Sequence, residues 1–290
     1  MRFTYAESMI DPNQYCPLAI EAEQAGFDSF TVPESILYPK ESDSKYPYTP
    51  DGDRDFLDGM PFIEPFVLMG AMGAVTEKIR FTTFVVKLPM RHPVLAAKQA
   101  TSVAAMTNNR LGFGVGLSPW PDDFAALGVP WEKRGKRLNE SIEILRGLQT
   151  GEYFGYDGEI FQIDPIKLCP APTKPIPILI GGHSEPAFKR AARLGDGWMH
   201  GGGGQASDFE SAIQRIQELR AEYGRDREPF EIHVISMDAY TPDGIKRLED
   251  LGVTDAIVGF RNAYAPDTTT LQQKVDALRG FADKVIAKVR

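Results

Sequence analysis

The stretch from Lys78 to Pro119 constrains this chain most, because strand, turn, helix and strand signals follow one another in it without a gap. Phe81 to Val86 is apolar or Thr on both faces and rich in Val and Phe, the pattern of a parallel strand covered on both sides. Pro89 stops it, Pro93 falls where the first turn of a helix belongs, and Val94, Leu95, Lys98, Ser102, Val103 and Met106 continue at helical spacing. Asn108 and Asn109 end that helix. Arg110 to Leu117, RLGFGVGL, is a second strand with Gly112, Gly114 and Gly116 on one face, which leaves space for neighbouring side chains or for a flat ligand.

The rest of the chain extends this βαβ unit in both directions. Phe3 to Ala6 is a short strand, and Asp11 to Ala25 a helix with Leu18, Ala19, Ala22 and Ala25 on its buried stripe and Gly26 as its cap. Asp28 to Val32 is the next strand. After Pro33 comes a polar, proline-spaced loop reaching Gly59, whose Tyr38, Tyr46 and Tyr48 favour an ordered lid, with a mobile surface loop as the alternative. Phe62 to Val75 is helical. Beyond Pro119, residues 121–150 are largely helical, with Leu138, Ile142, Leu145 and Leu148 at helix spacing. Glu152 to Ile163 has the look of a small hairpin, and Pro165 to Pro177 of a connection. IPILIGG, DGWMHG, FEIHVISM and TDAIVGF are further strands, separated and followed by helices, the last from Thr268 to Val289. Eight strands, most followed by a helix and with no flexible linker, predict a TIM (β/α)8 barrel. It would be one domain over residues 1–290, with an insertion around 121–177. A doubly wound open sheet is the alternative.

Composition decides what such a fold would act on. A net charge of -8 and a pI near 5.2 argue against nucleic acid or an anionic membrane as partner, which leaves a small-molecule substrate. Cys16 and Cys169 have no CxxC or metal-type spacing, the N-terminus has acidic residues where a signal peptide needs an apolar core, and no apolar run approaches membrane-spanning length. A cytoplasmic protein with reduced thiols is expected.

In a barrel, chemistry belongs to the loops at the C-terminal ends of the strands. The richest is Ile180-Gly181-Gly182-His183-Ser184-Glu185-Pro186, in which Ser184 is a candidate helix cap and Pro186 fits the first turn. The N–H groups of that helix start would suit a phosphate, though a plain strand-to-helix turn fits the spacing too. Trp198-Met199-His200 and the glycines 201–204 follow on the same rim. His92, just past the third strand, either faces a ligand or serves a local turn, and His233, mid-strand, reads as a hydrogen-bonded barrel residue. No HxH, HExxH or close carboxylate cluster accompanies the four histidines, so no metal site is expected. GFGVG is not GxGxxG, and no GxSxG is present.

Three runs, RHPVLAAKQATSVAAMTNNRLGFGVGLSP, FAALGVPWEKRGKRLNESIEILRGLQTGE and FQIDPIKLCPAPTKPIPILIGGHSEPAFKRAARLGDGW, resemble the bacterial luciferase-like monooxygenase family, above all its coenzyme F420-dependent oxidoreductases. The resemblance implies a TIM barrel holding the deazaflavin F420, or alternatively FMN, at its C-terminal mouth, commonly in a homodimer. It puts Phe84, Val85 and Val86 behind the ring, with a non-proline cis peptide at Phe84-Val85. It puts Gly116, Leu117 and Ser118 beside the ring or the ribityl chain, and Gly181, Gly182, His183 and Ser184 around the phosphate, with Trp198 nearby. Arg134, Arg137 and Glu140 match a family helix motif and are read as structural ion pairs. Where many relatives have an acid-His pair after the second strand, this chain has Glu34-Ser35, which puts a histidine proton donor in doubt and makes Glu34 and His92 the candidate catalytic residues. F420's oligoglutamate tail would favour basic residues on the rim, and Lys40, Lys45, Arg54, Lys87 and Arg91 are available, offset by five aspartates in the same loop. The resulting expectation is hydride transfer between F420 and an organic molecule. An FMN-dependent monooxygenase and a non-catalytic flavin-binding protein are the alternatives.

Overall fold

In the structure, a computed structural model, nine short parallel segments pair side by side and close on themselves. It describes residues 1–46, 49, 51–201 and 206–290, with 206–208 described by backbone alone. The chain order is β1 (Arg2–Tyr5), β2 (Ser29–Val32), β3 (Arg80–Thr83), β4 (Val86–Lys87), β5 (Leu111–Gly116), a separate antiparallel hairpin of β6 (Phe154–Asp157) and β7 (Gln162–Ile166), then β8 (Ile178–Gly181), β9 (Gly197–Met199), β10 (Glu231–Ile235) and β11 (Asp255–Val258). The sheet runs β3-β2-β1-β11-β10-β9-β8-β5-β4, and β3 also pairs with β5, so the ring is complete. β3 and β4 are two halves of one stave. The expected strand Phe81–Val86 is interrupted at Phe84-Val85, where the peptide is cis. Eight parallel staves with helices outside make the expected barrel, and the open sheet is excluded.

Helices α1 (Tyr15–Gln24), α2 (Pro65–Ala74), α3 (Pro93–Met106), α4 (Pro121–Ala126), α5 (Arg134–Leu148), α6 (Glu185–Leu194), α7 (Ala206–Glu222), α8 (Pro242–Asp250) and α9 (Leu271–Phe281) surround it, α9 continuing irregularly to Val289. Their ends follow local chemistry. The Asp11 carboxylate holds Asn13 N–H in a tight turn, so α1 starts at Tyr15 and not at Asp11. Glu64 accepts from the N–H groups of Phe66 and Val67, which puts the start of α2 at Pro65. Asn108 and Asn109 take positive φ (53° and 64°) and stop α3. Of residues 121–177, α5 is the barrel's own fourth helix, packed between α3 and α6. Only α4 and the hairpin are additions, a narrower insertion than expected.

Side chains alternate between two cores. Ile178 and Ile180 of β8 and Ala256 and Val258 of β11 point to the helices, while Leu179, Met199 and Ile257 form a small interior layer. The three glycines of β5 face that interior, where neighbouring side chains fill the space they leave. A Cβ would meet the Arg80 guanidinium at Gly112, the Met199 Sδ at Gly114 and the Val85 side chain at Gly116. Below the apolar layer, toward the N-terminal ends of the strands, Arg2, Arg80, Glu231, His233 and Asp255 close the barrel. Among the described residues, no helix is long and apolar enough to cross a membrane.

Candidate active site at the barrel mouth

The C-terminal mouth has an apolar floor. Ala6, Phe84 and Val85, all partly exposed, lie on the layer of Leu179, Met199 and Ile257. Gly116 and Gly181 flank Val85. A Cβ on either would lie 2.9 or 3.1 Å from a Val85 methyl, so these glycines admit Val85 and leave the ends of the fourth and fifth staves flat. Phe84, Val85, Gly116 and Gly181 therefore converge. Val86 does not join them, since its side chain packs outward into the main core with no exposure.

Beside the floor, β8 turns into α6. Gly182 has φ +131°, a conformation that L side chains rarely adopt, and a Cβ there would lie 2.9 Å from that of Ala187. Ser184 occupies the N-cap position, but its hydroxyl makes no capping bond, contrary to expectation, and the residue is exposed. The helix N-terminus thus presents a glycine turn, an unused hydroxyl and a favourable dipole. Glu185, the acid in that first turn, is drawn away by a 2.9 Å contact with Arg215, which with Lys189 holds its carboxyl below the usual range. His183 accepts from Gly201 N–H at Nε2 (3.3 Å), and its ring lies 4.9 Å from that of His200. Trp198, expected near the phosphate turn, lies against it and is buried between barrel and helices. There its indole donates to Gly182 O at 2.8 Å, so it holds the turn from behind. Gly202 to Gly204 lie outside the described residues, as does Tyr48.

The other rim is charged. Glu34 is not a solvated loop carboxylate. Its side chain is 1% exposed, and it accepts Lys87 N–H at 2.7 Å and a guanidinium hydrogen bond from Arg91. Both oxygens are engaged, so Glu34 braces β4. His92 stands apart from the mouth. It is exposed at the start of α3, with its ring 5.8 Å from Phe161 of the outer hairpin. Ser118 is 2% exposed and turns inward. Its hydroxyl donates to Asp123 (2.6 Å) and accepts from Trp120 N–H, while Leu117 packs against the outer core. Asp123 also receives Lys87 Nζ at 2.8 Å. At the first stave, Glu7 binds Arg261 (2.7 Å) and Tyr5 (2.9 Å). Burial, then the Glu7 carboxylate, push the Tyr5 hydroxyl far above its ordinary value, so it stays protonated.

Lys87, Asp123 and Trp120 thus come together on this rim, a grouping that motif reading does not reveal beyond a lysine ending an otherwise apolar strand. Arg54, Lys87 and Arg91 are each next to a carboxylate and mostly buried, so they form no open basic track for a polyanionic tail. The lid expected from the loop after β2 is ordered where described. Tyr38, Tyr46, Phe56 and Met60 pack with Met9, Leu57, Trp120 and Ala263, joining the first, second, fourth and eighth stave ends.

Two further readings change. Arg134 and Arg137 make no ion pair with Glu140. They lie over the rings of Trp131 and Phe161, while buried Glu140 accepts three backbone N–H groups from residues 159–161. Folding also assembles a carboxylate cluster around His233, whose Nε2 lies 2.9 Å from Glu231 and 3.4 Å from Asp255. Arg2 and Arg80 already bind those carboxylates at 2.6 to 2.9 Å, so a cation would have to displace two guanidiniums.

A closed parallel barrel with a flat apolar mouth, a glycine turn at a helix N-terminus and an aromatic lid is shaped to take a flat ligand that carries an anionic group. The chain belongs to the luciferase-like monooxygenase family, whose model matches residues 4–274. It is 60% identical over 291 residues, and 100% of both chains, to an uncharacterized protein of Mycobacterium tuberculosis. It is 28% identical to an F420-dependent glucose-6-phosphate dehydrogenase of Tsukamurella paurometabola over 91% of this chain and 72% of that one. The monooxygenase RslO1 from Streptomyces bottropensis superposes with a TM-score of 0.78 at 15% identity, covering 100% of both chains, which is a likeness of fold.

Proposed function

We propose that this protein transfers a hydride between coenzyme F420, held at the barrel mouth, and a small uncharged or weakly charged organic molecule. The observation that carries this reading is the turn Gly181-Gly182-His183-Ser184 beside the Val85 floor. A phosphate on the α6 N-terminus and a flat ring on the floor are the two parts that a deazaflavin monophosphate core has. When bound, the deazaflavin supplies a carbon that gives or takes hydride and reacts poorly with oxygen. The chain's own residues do the rest. Gly182 and Ser184 bind the phosphate oxygens, Phe84 and Val85 support the ring, Glu34 fixes the strand after them, and the aromatic lid excludes water. The Lys87 ammonium, held by Asp123 at the end of the stave that carries Phe84 and Val85, is a candidate proton donor in a chain that lacks an acid-His pair after β2. F420-dependent naming among the relatives favours the deazaflavin. The turn fits FMN as well, and an FMN-dependent monooxygenase is the second reading. We also expect a homodimer, for which exposed Val67 on α2 and Leu95 and Met106 on α3 offer an apolar surface on neighbouring helices.

Titration of the purified protein with oxidised F420 and with FMN, each followed by its own absorbance change, tests the reading. Saturable F420 binding is expected. FMN binding without F420 binding moves the protein to the flavin monooxygenases. Tight binding with no turnover on a broad panel of alcohols, aldehydes and ketones makes it a cofactor-binding protein.

A further inference from the structure

Among the buried polar atoms at the mouth that have no hydrogen-bond partner, three lie on or beside Trp120. Arg54, from the lid, is 7% exposed, and its Nη1 makes no hydrogen bond although Asp122 lies 3.6 Å away. The indole Nε1 of Trp120 and Oδ1 of the fully buried Asp123 are likewise unpartnered. The residues form one cluster. The Arg54 guanidinium lies 5.3 Å and Lys87 Nζ 4.5 Å from the Trp120 ring centroid, and the Trp120 backbone N–H donates to the Ser118 hydroxyl that in turn donates to Asp123 Oδ2. Leaving such an atom unsatisfied costs its full desolvation, and native proteins keep few of them. Three around a single ring mark a place built for an occupant.

The chemistry of that occupant follows from the atoms. Arg54 Nη1 and Trp120 Nε1 need an acceptor, and Asp123 Oδ1 needs a donor. Charge is balanced, with Arg54 and Lys87 against Asp122 and Asp123, so the cluster offers no net field to an ion. A carboxylate or phosphate would meet Asp123, and an ammonium would meet Arg54 and Lys87. A hydroxyl group both accepts and donates. Lys87 ends the stave that carries Phe84 and Val85, so the cluster adjoins the apolar floor. We propose that Arg54, Trp120 and Asp123 form a subsite beneath the lid for the hydroxyl group of an uncharged substrate. The proposal rests on the reading of the mouth as the cofactor site, and it sets the substrate class as neutral alcohols in preference to sugar phosphates or carboxylic acids.

The indole N–H signals of the three tryptophans in a 15N–1H spectrum report on the subsite without any turnover, and Trp120→Phe identifies the Trp120 signal. Full-length protein, alone and loaded with whichever of F420 or FMN it binds, is titrated with cyclohexanol and with cyclohexanecarboxylate, which share a ring. Cyclohexanol should shift the Trp120 signal saturably, with an affinity at least tenfold above that of the carboxylate. Arg54→Met should weaken cyclohexanol at least fivefold while cofactor affinity stays within twofold. A Trp120 signal that moves with neither compound means that ordered water satisfies the three atoms and overturns the proposal. A signal that moves more with the carboxylate overturns its substrate class. Failure of both cofactors to bind sinks the broader reading instead, and the two failures are separately visible.

Discussion

At the N-terminal end of the barrel Asp255 takes donors on both oxygens, from Arg2 and Thr254, and Glu231 takes Arg80 and His233 on one, whereas at the C-terminal end the fully buried Asp123 receives two donors on one oxygen and none on the other. The spare atoms of the N-terminal layer, Arg80 Nη2 and His233 Nδ1, are enclosed. The unpartnered Nη2 of Arg80 abuts Gly112, where even a Cβ would come within 2.6 Å. The mouth's spare atoms lie beneath a loop. One charged layer is closed on itself and serves stability, and the other is left incomplete, which is what a ligand requires. Burial of charge alone does not separate the two.

The largest effect should fall on the floor. Asp255 is 1% exposed and holds the half-exposed Arg2 and Thr254, so Asp255→Ala should cost about 2 kcal/mol in urea unfolding by removing their shared acceptor. Affinity for the cofactor should not change. A mutant that unfolds normally but binds poorly would break the division between the two ends. The floor should also set the acid limit. Burial alone would raise the Glu231 carboxyl, but the hydrogen bond from His233 and the Arg80 guanidinium outweigh it and hold the group far below its ordinary value. A depressed carboxyl stabilises the fold fully above its unfolded pKa of about 4.3 and loses that contribution as pH falls toward the folded value. Stability should therefore decline below about pH 4 in the native protein, and less steeply in Glu231→Gln.

Next in size come changes at the mouth that separate support from binding. Gly182→Ala puts a Cβ at φ +131° against Ala187, a strain of roughly 1 to 3 kcal/mol. It should lower cofactor affinity at least tenfold in the same absorbance titration. Glu34→Gln removes the charge that Arg91 and Lys87 N–H share and should cost about 2 kcal/mol in stability. If Glu34 is a brace and not an acid, the pH profile of turnover keeps its shape and only its height falls. A lost limb in that profile would make Glu34 the acid after all.

Much of this was legible in the chain and some was not, for identifiable reasons. The barrel followed from repeated strand and helix periods, because each stave buries one face outward and one inward and the pattern is local. The glycines of the mouth were legible too, since a missing side chain is visible in sequence. Their purpose was not. Gly116 and Gly181 make room for Val85, a neighbour set by closure of the ring. The pairs Lys87–Asp123 and Glu34–Arg91 span 36 and 57 residues and depend on how the fourth stave and the lid fall against the third. That Trp198 reaches the turn from behind was set by strand alternation. In β9, Gly197 and Met199 face inward, so the tryptophan between them must face the helices.

The smallest effect is the most pointed test of what the mouth excludes. In sequence His92 stands beside the third stave end, and the missing acid-His pair made it a natural substitute. In the fold it opens α3 on the outside, and its ring touches Phe161, which Arg137 also covers. An exposed edge-to-face contact of this kind is worth well under about 1 kcal/mol, so His92→Ala should shift the unfolding midpoint by no more than a degree or two. Turnover should be unchanged at pH 7 and its pH profile unaltered, because the ring's contact is with the outer hairpin. A profile that changes in the mutant would return the histidine to the reaction, and would mean that the lid and hairpin rearrange when substrate binds.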